Sequence, residues 1–156
     1  MKKLLLCTLF IFSSTAAYAQ DDLDSFVELL RSDVKTNKKA IITAAMGFTD
    51  AQAAAFWPVY RNYEFDLDKL GDARVAMIKE YAENYQNMTD AKAKELMEKA
   101  FKFQEERLKL RKKYFNEVSK ALSPSLAAKF IQVENQIHLV IDMQIASELP
   151  LVEKAQ

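Results

Sequence analysis

The fold is decided by residues 49–122, which read TDAQAAAFWPVYRNYEFDLDKLGDARVAMIKEYAENYQNMTDAKAKELMEKAFKFQEERLKLRKKYFNEVSKAL. Apolar side chains recur every three or four residues along both halves of this segment, which is the spacing of one helix face. Asn87, Met88 and Thr89 interrupt the pattern midway. We therefore predict two long helices that turn at Met88 and pack side by side as an antiparallel hairpin.

Residue types that begin and end helices mark the boundaries of this hairpin. Thr49 is a good N-cap, and Gln52 three residues later can complete a capping box. Gly47 stands where a preceding helix would end in a left-handed conformation. Ser123 followed by Pro124 is the expected start of a further helix.

Composition agrees with an all-α protein that forms one domain. The chain has 156 residues but only two glycines and three prolines, too few for the turns of a β-sheet protein. Helical spacing also covers residues 21–46 and 124–149, so we predict two shorter helices packed on the hairpin. The last helix is apolar around most of its circumference and must be buried on several sides, either within the monomer or at a dimer interface.

The first nineteen residues have the pattern of a secretory signal peptide. Lys2 and Lys3 precede a short apolar stretch, and a small-x-small cleavage site ends at Ala19. A lipoprotein signal ending at Cys7 and an uncleaved anchor are less favoured alternatives. We predict cleavage near Ala19, a mature domain of residues 20–156 without a membrane span, and no disulfide, because Cys7 is the single cysteine.

A basic run at residues 107–113 has two interpretations, a patch for an anionic partner or one side of a charged seam. Residues equally distant from Met88 face each other in the predicted hairpin, which places this run opposite residues 63–69. We favour the seam and expect Glu64 to lie near Lys112. The same register brings Tyr60 and Tyr63 close to Tyr114 and Phe115 in a predicted aromatic core. Lysine plus arginine equals aspartate plus glutamate at 22 each, so net charge gives no argument for nucleic-acid binding.

No set of residues in the sequence predicts catalysis. A nucleophile elbow, a phosphate-binding glycine loop and an HExxH motif are all missing from the sequence. His138, the single histidine, follows Glu134 by four residues, but one histidine and one carboxylate do not complete a metal site. We interpret His138 as a helix-surface residue and predict no enzyme activity, no cofactor and no metal.

Two short motifs resemble those of the Spy and CpxP family of bacterial periplasmic proteins, also called the LTxxQ family. Phe48, Thr49 and Gln52 match the first motif with Phe in place of Leu, and residues 56–60, FWPVY, are similar to the FWPxY variant. Leu122 and Ser123 open the second motif, in which Ser replaces Thr and Leu replaces the final Gln.

The resemblance implies an elongated helical homodimer in the periplasm with a concave, cradle-like surface. It also implies one of two functions. Spy-like members bind unfolded or partly folded protein clients without ATP, as chaperones or stress-protective proteins. CpxP-like and metal-sensing members regulate an envelope stress or heavy-metal response through a membrane signalling partner. We favour the chaperone, and the candidate client-binding residues on the hairpin are Arg61, Arg74, Arg107 and Arg111.

Overall fold

The computed structural model describes residues 37–152, and this part of the chain is helical with no β-strand. The predicted all-α fold is therefore confirmed. The elements in chain order are α1 (residues 37–46), α2 (Asp50–Asn84), a 3₁₀ helix (Tyr85–Asn87), α3 (Asp90–Ala121) and α4 (Pro124–Glu148). The predicted signal peptide and the first part of the helix predicted for residues 21–46 lie outside the described residues.

Helix caps occur where the sequence predicts them. The Gln52 backbone N–H donates to Thr49 Oγ1 at 3.3 Å, and the Thr49 N–H donates to Gln52 Oε1 at 3.0 Å, which completes the capping box. Gly47 adopts a φ of +60°, in the left-handed region that favours glycine. Ser123 accepts from the Leu126 N–H at 3.2 Å, and Leu126 has no side-chain oxygen to return the bond.

The hairpin turn lies at the predicted position. Helix α2 gives way to one 3₁₀ turn, and Met88, only 6 % exposed, links that turn to Thr89. Thr89 caps α3 by accepting from the Lys92 N–H at 3.2 Å. The buried methionine anchors the turn, so the two long helices are held together at this end as well as along their length.

Ion pairs across the hairpin confirm that α2 and α3 are antiparallel in the expected register. Lys113 Nζ lies 2.7 Å from Asp66 Oδ2, and Glu80 accepts from Lys92 at 2.9 Å. Among the ion pairs of residues 37–152, the link at this level is Asp66–Lys113, not Glu64–Lys112. These pairs are partly exposed, so each contributes under about 1 kcal/mol and mainly fixes register.

Aromatic rings from three helices form the centre of the core. Phe130 of α4 has its ring centroid 5.2 Å from Phe56 and 5.4 Å from Tyr63, and Tyr63 lies 5.1 Å from Tyr114. The prediction that Phe115 joins this core was wrong, because its side chain is 37 % exposed. Adjacent helix positions point about 100° apart, so Tyr114 and Phe115 cannot both face α2.

Helix α4 is buried along one side within the monomer, so of the two alternatives for its other apolar residues only a dimer interface stays a prediction. Its buried line consists of Ala127, Phe130, Glu134 and His138. Leu139, Val140 and Met143 are instead 58 %, 53 % and 67 % exposed. Among the described residues, none of the helices has the length and apolar character needed to cross a membrane.

Candidate functional site

Four large apolar side chains lie exposed along one line of α3, and we call them the α3 stripe. Met97, Phe101, Leu108 and Phe115 are 51 %, 60 %, 50 % and 37 % exposed. Spacings of four, seven and seven residues keep all four within roughly 40° of each other around the helix. The line runs for about 27 Å along the helix at 1.5 Å per residue.

Packing within the hairpin does not require the α3 stripe. The buried residues of α3 are Leu96, Tyr114 and Val118, which lie roughly a third of a turn away from the stripe. Helix α3 is therefore apolar on two separate faces, and only one of them is covered. An exposed apolar line of this kind typically marks a binding surface.

Charged residues border the α3 stripe with both signs. The side chains of Lys94 and Glu98 are 79 % and 67 % exposed and lie 3.9 Å apart. The pair of Lys109 with Glu106, at 2.7 Å, lies further around the helix. Long charged side chains next to exposed aromatic and aliphatic groups can contact many kinds of peptide segment, because their stems are apolar and their ends are polar.

A further exposed aromatic residue, Phe65 of α2, lines a shallow groove of about 300 Å³ between α2 and α3. The lining residues are Val59, Asn62, Phe65, Asp66, Lys113, Tyr114 and Glu117. Asp66 accepts from Lys113 and Tyr114, and both hydrogen bonds hold the pKa of its carboxyl below the usual value. The groove is therefore polar along one side and apolar only at Phe65 and Val59.

Two of the four predicted client-binding arginines share one carboxylate. Arg74 and Arg107 reach Asp142 of α4 at 2.7 and 2.8 Å, and their side chains are only 19 % and 11 % exposed. Both guanidinium groups also lie over the Phe103 ring, at 5.3 and 5.4 Å from its centroid. These contacts tie α4 to both helices of the hairpin.

Burial alone would raise the pKa of Asp142, but the hydrogen bond from Arg107 and the charges of both arginines lower it below the usual value. The carboxylate therefore stays charged and paired at neutral pH. Arg111 is half-buried, with a buried Nε that has no hydrogen-bond partner among the described residues, and Arg61 is exposed. The client-binding role of the four arginines stays a prediction.

A group of polar side chains is buried where α1, α2 and α4 meet, and we call Lys38, Tyr63, Glu134 and His138 the buried polar cluster. Glu134 is fully buried, and Lys38 is 4 % exposed. Lys38 Nζ lies 2.9 Å from Glu134 Oε2, and the Tyr63 hydroxyl donates to the same oxygen at 2.7 Å. His138 Nε2 lies 3.5 Å from that oxygen and 3.4 Å from the Tyr63 hydroxyl.

The interpretation of His138 as a helix-surface residue was wrong. The residue is 9 % exposed because Glu134 and His138 continue the buried line of α4 toward α1 and α2. One signal in the sequence could have shown this. Glu134 and His138 follow Ala127 and Phe130 at the three- and four-residue spacing of one helix face.

Electrostatics keep Glu134 charged and Tyr63 neutral. Burial acts to raise the pKa of Glu134, but His138, Lys38 and Tyr63 together lower it below the usual value. Burial and the Glu134 charge raise the pKa of Tyr63 well above its usual value. The cluster therefore contains a buried anion with one cationic partner, Lys38, and a neutral hydroxyl donor. A buried pair of this kind is weak evidence for stability, because desolvation offsets much of the attraction.

Residues 37–152 contain no group of three or more histidine, cysteine, aspartate and glutamate side chains placed to hold a metal ion. Next to Glu134 and His138, the space beside the carboxylate is occupied by the Lys38 ammonium group. The buried polar cluster is therefore arranged as an ion pair within the fold.

Comparison with family models, curated proteins and solved structures found no match to the chain. The resemblance to the Spy and CpxP family stays a prediction, carried by Phe48, Thr49 and Gln52 and by Leu122 and Ser123.

Proposed function

We propose that the protein is an exported, periplasmic chaperone that binds unfolded or partly folded protein segments without ATP. The observation that carries this proposal is the α3 stripe, an apolar line on a helix whose other apolar face already packs in the core. The N-terminal sequence pattern supports export, and the family resemblance supports the periplasm and the client class.

The mixed surface of the stripe supports weak binding of varied segments. Aromatic and aliphatic groups bury apolar client side chains, and a methionine such as Met97 adapts its shape to different contacts. The bordering lysines and glutamates hydrogen-bond to client groups of either charge. A partner with one defined shape would be better matched by a concave pocket, and the groove at Phe65 is shallow and open to solvent.

Two serine substitutions in the stripe, Phe101→Ser with Leu108→Ser, test the proposal. The purified protein is mixed at several molar ratios with a denatured client, and aggregation is followed by light scattering without ATP. We expect the wild-type protein to suppress aggregation. Each substitution removes about 1 kcal/mol of apolar burial, so the double variant should need roughly thirty times more protein for the same suppression.

The matched control is Leu139→Ser with Met143→Ser on α4, where exposure is similar at 58 % and 67 %. This control should suppress aggregation like the wild-type protein even as a monomer, because the α3 stripe belongs to a single copy of the chain. Equal loss in both variants, or no suppression by the wild-type protein at several-fold excess, would contradict the proposal. Far-UV circular dichroism of each variant shows that the helices remain intact.

A homodimer is part of the proposal, and the exposed Leu139, Val140 and Met143 of α4 favour that face as the contact between copies. The mass in solution, measured for the same two variants, shows which of the two surfaces forms the dimer. The α4 variant should lose the dimer, whereas the stripe variant should keep it. The opposite pattern would assign the α3 stripe to dimerisation and remove the basis for client binding.

A regulatory sensor that acts through a membrane signalling partner is the second candidate function. The observation that favours it is the buried polar cluster, because proteins retain buried ionic groups in some cases for conformational control, not for stability. The sensor would be favoured if the wild-type protein failed to suppress aggregation and if its conformation changed with pH.

A further inference from the structure

Helix α1, in its described residues 37–46, packs on the rest of the structure through one face. The buried residues of that face are Lys38, Ile42 and Met46, spaced four residues apart. The neighbouring Ile41 is 46 % exposed. Gly47, with its φ of +60°, separates α1 from the cap of α2. Lys38 is therefore the charged member of the face by which these residues dock.

Two cationic or potentially cationic groups approach one carboxylate oxygen. Lys38 Nζ lies 2.9 Å and His138 Nε2 lies 3.5 Å from Glu134 Oε2, while Glu134 Oε1 has no hydrogen-bond partner among the described residues. One carboxylate balances one cation. The cluster of Lys38, Glu134 and His138 is therefore neutral only while the imidazole carries no charge.

The imidazole contacts Glu134 and Tyr63, and the other charged and titratable groups that act on these two residues come from α1, α2 and α3: Lys38, Tyr60 and Arg111. Burial raises the pKa of both tyrosines, and the Glu134 charge raises it further, so both hydroxyls stay neutral. Arg111 acts on Tyr63 as a positive charge. Histidine is the side chain whose charge ordinarily changes between about pH 5 and 8.

We propose that protonation of His138 releases α1, because the imidazolium replaces the Lys38 ammonium as the counterion of Glu134. His138 and Glu134 are four residues apart on the same helix and stay together, whereas Lys38 can leave with α1 and regain water. Two cations beside one buried carboxylate would leave an uncompensated positive charge next to Arg111, which burial disfavours. Release uncovers part of the surface around Tyr63 and Phe130. This inference concerns a conformational change and does not depend on the proposed function.

Trp57, the single tryptophan, reports whether α1 is docked. Lys39 of α1 places its Nζ 5.2 Å from the centroid of a Trp57 ring. We expect the Trp57 fluorescence of the full chain to change with one sigmoidal transition as the imidazole gains its proton. The docking equilibrium should shift by about tenfold across that transition, a usual size for coupling between two events in one protein.

His138 is also the single histidine, so its imidazole signal in a proton NMR titration is unambiguous. The midpoint of that titration should coincide with the midpoint of the Trp57 transition. Hydrogen exchange should lose protection in residues 38–46 over the same range, while residues 90–121 of α3 keep theirs. Different midpoints, or a Trp57 signal that stays flat while the imidazole titrates, would overturn the proposal.

His138→Gln gives an independent test, because glutamine can still hydrogen-bond but does not titrate. In this variant the Trp57 signal should stay at its docked value across the whole range. A transition identical to the wild-type one would show that another group drives the change. The NMR comparison on the unmodified protein decides the question even where the variant fails to fold.

Discussion

Replacing Lys38 with methionine is expected to lower the free energy of unfolding by about 3 kcal/mol near pH 8. The substitution keeps the length of the side chain but leaves the buried Glu134 carboxylate without a cation. We expect a stability loss at the lower end of the range for broken buried ion pairs, because Tyr63 still donates to Glu134 Oε2 at 2.7 Å. Chemical denaturation followed by circular dichroism measures the effect.

The Lys38→Met variant should respond to pH in the opposite way to the wild-type protein. Lowering the pH should weaken α1 docking in the wild-type protein but should raise the folding stability of the variant. In the variant, a protonated His138 supplies the missing counterion of Glu134. Stability regained in this way is present only while the imidazole carries its proton, so it is lost as the pH rises. The deficit of the variant should therefore shrink as the pH is lowered from about 8 to 6.

In the wild-type protein the Glu134 carboxylate contributes stability that is lost, not gained, in acid. The surrounding His138, Lys38 and Tyr63 lower its pKa below the usual value for glutamate, so its contribution to stability is present above that usual value and is lost in stronger acid. The control is Lys112→Met on the exposed surface of α3, where we expect a change within about 0.5 kcal/mol. Equal stability of Lys38→Met and wild type near neutral pH would contradict the arrangement of the buried polar cluster.

Phe130→Ala is expected to cost about 4 kcal/mol, because the ring is fully buried among aromatic neighbours from α2. Its centroid lies 5.2 Å from Phe56, 6.2 Å from Tyr60 and 5.4 Å from Tyr63, so the cavity left behind touches three rings. Thermal and denaturant unfolding measure the loss, which is a large fraction of the total stability of a typical domain.

The matched control for Phe130→Ala is Phe101→Ala in the α3 stripe. The same atoms are removed from a ring that is 60 % exposed, so stability should change by no more than about 0.5 kcal/mol. A large loss in both variants would mean that the stripe is covered in the folded protein. Neutral behaviour of Phe130→Ala would mean that α4 does not pack on the hairpin as described.

Local signals in the sequence predicted the helices and their register. The capping box at Thr49, the left-handed Gly47 and the turn at Met88 each depend on residues within a few positions of one another. The antiparallel pairing of α2 with α3 followed from the position of that turn alone, although the ion pair at this level joins Asp66 to Lys113 and not Glu64 to Lys112. Such features need no knowledge of how α4 packs, and all of them are found in the structure.

Features that depend on three helices meeting were not predicted. Nothing in the sequence indicates that Arg74 and Arg107 both pair with the Asp142 carboxylate. Lys38 and Glu134 are too far apart in the chain for residue spacing to indicate that they form an ion pair. The apolar pattern of α3 was also ambiguous, because it does not say which of two faces meets α2. Burial of Tyr114 and exposure of Phe115 are decided by packing, not by residue type.

The central claim is that the α3 stripe binds unfolded protein segments. A photo-crosslinking amino acid placed at position 101 or 108, one at a time, tests it most directly, with position 139 on α4 as the matched exposed control. With a denatured client present, we predict crosslinks to the client from positions 101 and 108, and few from position 139. Equal crosslinking from all three positions, or crosslinks from the stripe only to a second copy of the chain, would contradict the claim.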